Sequence, residues 1–86
     1  MVVIQIMTSI LVQKEVLEDL LNFKIRFVTD EINRILTRWN APSIDDFLAG
    51  ARDGTYEEAE GDAIDMTNLV DMRENLYQLR VTWGSA

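Results

Sequence analysis

Eighty-six residues with 15 acidic and 8 basic side chains, 48% of them hydrophobic, describe one small globular domain carrying a net charge of −7, near the lower size at which a single core stabilises a chain. Cysteine and histidine are both missing from the sequence, which removes disulfides, thiolate nucleophiles, the commonest general base and the commonest metal ligand together. No apolar run approaches the ~20 residues of a membrane span, and Met1–Met7 has neither the basic flank nor the small-residue cleavage site of a signal peptide, so a cytoplasmic protein away from the membrane is expected.

The chain opens with Val2–Met7, a β-branched stretch that reads as a short strand or arm (residues 1–8) or as the first turns of a helix, and propensity alone leaves this open. A lone strand would have to pair with another copy or another protein to satisfy its backbone. A helix is predicted over 9–39, with Thr8 or Ser9 as N-cap. Along it Leu21, Ile25, Val28, Ile32, Ile35 and Trp39 alternate in steps of four and three, the spacing of a helix–helix seam. Asn40-Ala41-Pro42 ends it, because proline disfavours the helical conformation in the residue before it.

Residues 40–61 form an acidic connection containing a short helix from Ile44 to about Arg52. Ser43 opens that helix, Asp46 supports its first turn, and Gly54 closes it. Thr55 with Glu58 repeats the capping-box pattern, but Gly61 interrupts it, so the next helix is placed at 62–81. There Leu69, Met72, Leu76, Leu79 and Trp83 repeat the four-and-three alternation. The fold class is therefore all-α: a long antiparallel αα-hairpin with a short helix in its connection. The expected packing sets Leu21–Ile35 against Leu69–Leu79 within one chain.

A thirty-residue helix is about 45 Å long, whereas a compact chain of this length has a radius of gyration of about 12 Å. The first helix must therefore project, and its N-terminal half bears a second apolar row of Val12, Val16, Leu20, Phe23 and Phe27. The other helix can cover only one of the two rows. Val16, Leu20, Phe23 and Phe27 are accordingly the candidate partner interface, and an oligomeric helical bundle is expected.

Charge is concentrated in the middle of the chain. Residues 41–71 hold nine acidic groups (Asp45, Asp46, Asp53, Glu57, Glu58, Glu60, Asp62, Asp65 and Asp71) against the single base Arg52. That stretch repels phosphate backbones and argues against nucleic-acid binding by this chain alone. It reads as a solvated connection, or as a surface that speeds encounter with a basic partner protein. Catalytic candidates do not assemble. Glu15 with Glu18 and Asp62 with Asp65 have the i, i+3 spacing used by helical Mg²⁺-dependent nucleotide pyrophosphatases, but an antiparallel pair of helices puts them at opposite ends, without the basic cluster that phosphates need. Asp53-Gly54 lacks the remaining ligands of a calcium loop. Ser9 and Ser43 have no base beside them, and Trp39, Tyr56, Tyr77 and Trp83 are too scattered for a base-stacking platform. No catalytic residue, metal ligand or cofactor is expected.

Arg38-Trp39-Asn40-Ala41-Pro42-Ser43-Ile44-Asp45-Asp46-Phe47, with Gly54 seven residues beyond Phe47, resembles a family of small prokaryotic helical-hairpin proteins described as antitoxins of toxin–antitoxin pairs. That family typically reads Lys-Tyr-Gly-Met-Ser-x-Glu-Glu-Phe with a glycine seven positions on. Trp39 matches its aromatic, Ser43 its serine, Asp45 and Asp46 its acidic pair, and Phe47 and Gly54 its two fixed points. Over about residues 13–80 the likeness extends to the long first helix and the acidic stretch. This chain has one extra residue in the connection, Asn40 where the family has glycine, and Met66 about where tryptophan is common. The resemblance implies a non-catalytic protein that binds and neutralises a partner toxin. The alternatives are a homo-oligomeric, coiled-coil-like structural module and, third, a Mg²⁺-dependent nucleotide hydrolase.

Overall fold

The structure, a computed structural model, describes residues 2–85, with side chains described for 14–82. It is all-helical: α1 (Val2–Trp39), α2 (Ile44–Asp53) and α3 (Glu60–Ser85). Arg38 donates to Asp62 at 2.8 Å and Arg80 to Asn22 at 3.2 Å, so α1 and α3 lie side by side and run in opposite directions. Among the described residues there is no strand. Val2–Met7 belongs to α1, which corrects the strand reading. The β-branched preference there is weak and depends on context, whereas a helix satisfies its backbone without a second chain. Helix therefore runs straight through Thr8 and Ser9, and neither is an N-cap.

The first stripe is the core of the molecule. Leu21, Ile25, Val28, Ile32 and Ile35 are all buried, and they meet Phe47 from α2 with Ala59, Met66 and Leu76 from the third segment. The second row is displaced from its expected position. Leu76 is buried and Leu69 half-buried, but Met72 and Leu79 remain 41% and 44% exposed. The packed side of α3 takes in Leu69 and Leu76 of the expected row and extends from them toward Met66, Val70 and Tyr77 rather than toward Met72 and Leu79. The side chains of Val12 and Trp83, members of the two expected rows, lie outside the described residues.

Local chemistry sets the helix ends. Asn40 has φ 51°, a left-handed conformation that asparagine tolerates better than most residues. Its N–H donates to Thr37 O at 3.1 Å and that of Ala41 to Leu36 O at 2.9 Å, the paired bonds of a Schellman motif. Asn40 thus does what glycine does at a helix C-terminus. Ser43 is extended and its Oγ accepts from the Asp46 N–H at 3.1 Å, while Gly54 ends α2 at φ 87°.

Thr55, in contrast, caps nothing ahead of it. Its N–H and hydroxyl both donate back to Asp53 Oδ1, at 2.9 and 2.6 Å. The third helix starts at Glu60, through Gly61, with the Ala63 N–H donating to Ala59 O at 2.8 Å, and it ends at Ser85 rather than near Val81.

The connection packs around three rings, one from each side of it. Trp39, Phe47 and Tyr56 stand with centroids 5.7–6.2 Å apart, within the range of favourable aromatic pairs. Gly50 makes this possible, since a Cβ there would sit 2.4 Å from the Tyr56 ring.

Candidate functional site

Val16, Leu20, Phe23 and Phe27 follow one another on α1 in steps of four, three and four, so they share a helix face. They are 49%, 56%, 67% and 57% exposed. The stripe that α3 covers lies on a different side of the same helix, and among the described residues these four stay exposed. Residues 2–13 continue α1 as helix and do not turn back over Phe23 or Phe27. Large exposed apolar residues at consecutive helical turns are the composition of a protein-binding face rather than of a solvated one.

This face borders a groove between the long helices. A cleft of about 290 Å³ is lined by Glu31, Arg34 and Arg38 of α1 and by Asp62, Asp65 and Met72 of α3. Phe27 stands one turn before Glu31, so the apolar row runs into the polar end of that cleft, with Met72 across it. Arg34 pairs with Glu31 on its own helix, closing the apolar stretch with charge.

Asp62 is the most constrained ionisable group on that flank. Its Oδ2 accepts from the Trp39 indole N–H and from the Arg38 guanidinium, both at 2.8 Å. The indole hydrogen bond is the largest influence and holds the carboxyl below the ordinary aspartate value; burial opposes it, and Arg38 adds to the lowering. A carboxylate with a lowered folded-state pKa stabilises the fold above the ordinary range near pH 4, and that contribution is lost as pH falls through the lowered value. The thermal midpoint should therefore drop between pH 6 and pH 3, and Asp62→Asn should lower it at pH 6, by about 1 kcal/mol, while weakening its dependence on acid. Parallel acid titrations of the melting midpoint check this; the same acid loss in both proteins would remove Asp62 from the explanation. Asp53 is lowered as well, through the Thr55 hydroxyl and then its N–H.

A second concavity was not foreseen from sequence. Leu48, Ala51 and Arg52 of α2 face Glu60, Ala63 and Ile64 of α3 across an open cleft of about 610 Å³. Its apolar floor comes from residues that spacing alone assigns to no common face, because they are brought together by the turn at 54–59.

Among the described residues no side chain that is polar or charged is fully buried, and no group of three or more acidic residues could hold a metal ion. Asp62 of the Asp62/Asp65 pair is engaged by Trp39 and Arg38, and Glu15 and Glu18 stand far along α1 from it. Among the described residues no helix is long and apolar enough to cross a membrane. The chain matches no family model, no curated protein and no solved structure.

Proposed function

We propose that this chain is a non-catalytic, cytoplasmic protein–protein interaction module, and that it acts as an antitoxin, covering a basic toxin through the α1 face of Val16, Leu20, Phe23 and Phe27. The observation that carries the reading is the exposure of that face: four apolar side chains, two of them aromatic, uncovered on a helix whose other stripe is fully used. Large aromatics dominate interface energetics once a partner desolvates them. The acidic stretch around 53–65 adds encounter rate more than final affinity, since exposed charges are screened beyond about 8 Å at physiological salt.

The reading requires a small basic protein encoded beside this gene, and the test is to express that neighbour with and without this chain. The chain should relieve growth inhibition and co-purify with its neighbour. Phe23→Asp with Phe27→Asp should do neither, while keeping the helical circular dichroism of the parent, because both residues lie outside the core. A double variant that protects as well as the parent would remove the α1 face from the function. A neighbour that inhibits nothing would remove the antitoxin reading.

A further inference from the structure

We infer that in the absence of another partner the α1 face is covered by a second copy of this chain, with the two α1 helices antiparallel and Leu20 of one against Phe23 of the other. This rests on the reading of that face as an interaction surface and adds its occupant, orientation and register.

The row itself carries the symmetry. Val16, Leu20, Phe23 and Phe27 are spaced four, three and four, a pattern that reads the same in both directions. Placed antiparallel on its own copy, it sets Leu20 against Phe23 and Val16 against Phe27, twice each. Every layer then joins one aromatic to one aliphatic residue, which keeps the layers equal in volume as close packing needs. A parallel, in-register pair would stack Phe23 on Phe23 and Phe27 on Phe27, leaving Val16 on Val16 thin beside them. The midpoint of the row also falls within about one residue of the midpoint of α1 (Val2–Trp39). An antiparallel pair therefore overlaps along the whole helix, including the N-terminal part that reaches past the end of α3.

Charge selects the same arrangement. The next positions along the row are Asp30 and Arg34. In a parallel pair each would face its own copy, and like charges across a helix seam are destabilising. In the antiparallel register neither position faces its own copy. On the outer edge of the seam, Asp19 of each copy comes beside Arg26 of the other, an attraction formed twice by the two-fold axis. The connections matter more still. The segment 41–71, with nine acids and one base, would lie side by side with its copy in a parallel dimer, within a few Debye lengths. Antiparallel helices separate the two acidic ends by about 50 Å, given 1.5 Å per residue along α1.

The chain has no cysteine, so a single spin label can be placed on Glu57→Cys in the exposed connection. Sedimentation equilibrium at micromolar concentration should return twice the 9.9 kDa monomer mass, and Phe23→Asp with Phe27→Asp should return the monomer mass with helicity kept. Pulsed electron–electron resonance on the labelled dimer should give a separation of about 50 Å or more. A label distance of roughly 30 Å or less, as expected where helices packed about 8–10 Å apart run parallel and bring the two connections side by side, would overturn the antiparallel register. A parent protein at 9.9 kDa that still binds its neighbour would overturn the second copy as occupant and leave the interaction module standing. A dimer that survives both aspartates would overturn the α1 face as the surface between copies, while protection by the same double variant tests the interaction reading separately.

Discussion

Phe47→Ala is expected to cost about 3–5 kcal/mol, and of the single changes considered it should be the most damaging. Phe47 is fully buried, and it is where the three helical segments meet. Its ring completes a triangle with Trp39 at the end of α1 and Tyr56 in the turn that leads to α3. Truncation removes the transfer energy of the ring and leaves a cavity that Trp39 and Tyr56 cannot fill without abandoning their own partners. A domain of this size has roughly 5–10 kcal/mol of stability in total, so the melting midpoint should fall by tens of degrees. Thermal unfolding followed by circular dichroism, at one fixed protein concentration because assembly feeds back on stability, measures it. A fall of under about 4 °C, equivalent to less than 1 kcal/mol, would mean that α2 is not anchored through this ring.

Ile32→Ala should cost about 2–5 kcal/mol. Ile32 sits at the middle of the α1 stripe and is 1% exposed, so the void it leaves is enclosed on every side. Met72→Ala is the natural control, because Met72 is largely solvent-facing and its loss should change stability by much less. If both substitutions lower the midpoint equally, α3 is rotated from the position described, with Met72 turned into the seam. An unchanged midpoint for Ile32→Ala would mean that the stripe does not pack on α3 at all.

The two helices differ in how far their sequence disclosed their packing, and the difference has a physical origin. On α1 the stripe from Leu21 to Ile35 keeps one heptad spacing, and the other large apolar residues in that stretch, Phe23 and Phe27, fall on a separate face, so the two rows can be told apart. On α3 apolar residues occur nearly all round, at Ala63, Ile64, Met66, Leu69, Val70, Met72, Leu76, Tyr77 and Leu79. Arg73 stands half-buried between Leu69 and Leu76 on the packed side, so a spacing argument passes over it and adds Met72 and Leu79, which lie at the exposed edge.

The connection was legible where single residues act on their own backbone, as at Ser43 and Gly54. It was opaque where contacts span the turn. Nothing in the local pattern links Trp39 to Tyr56 or Asp62, because the links exist only once Gly50 has made room for the Tyr56 ring. The candidate face of Val16, Leu20, Phe23 and Phe27 could be read because exposure is what remains when a helix has more apolar sides than neighbours. What binds there is a property of a second molecule.

The extents of the molecule, 63 × 18 × 18 Å with a radius of gyration of 18.1 Å, have a hydrodynamic consequence. A rod of this shape meets far more friction than a sphere of equal mass, for which the radius of gyration would be about 12 Å. A single copy will leave a gel-filtration column early, where a compact protein of greater mass would emerge, and will tumble slowly end over end. Elution volume and rotational correlation time both report length here, and only a measurement of mass distinguishes one rod from two lying alongside each other.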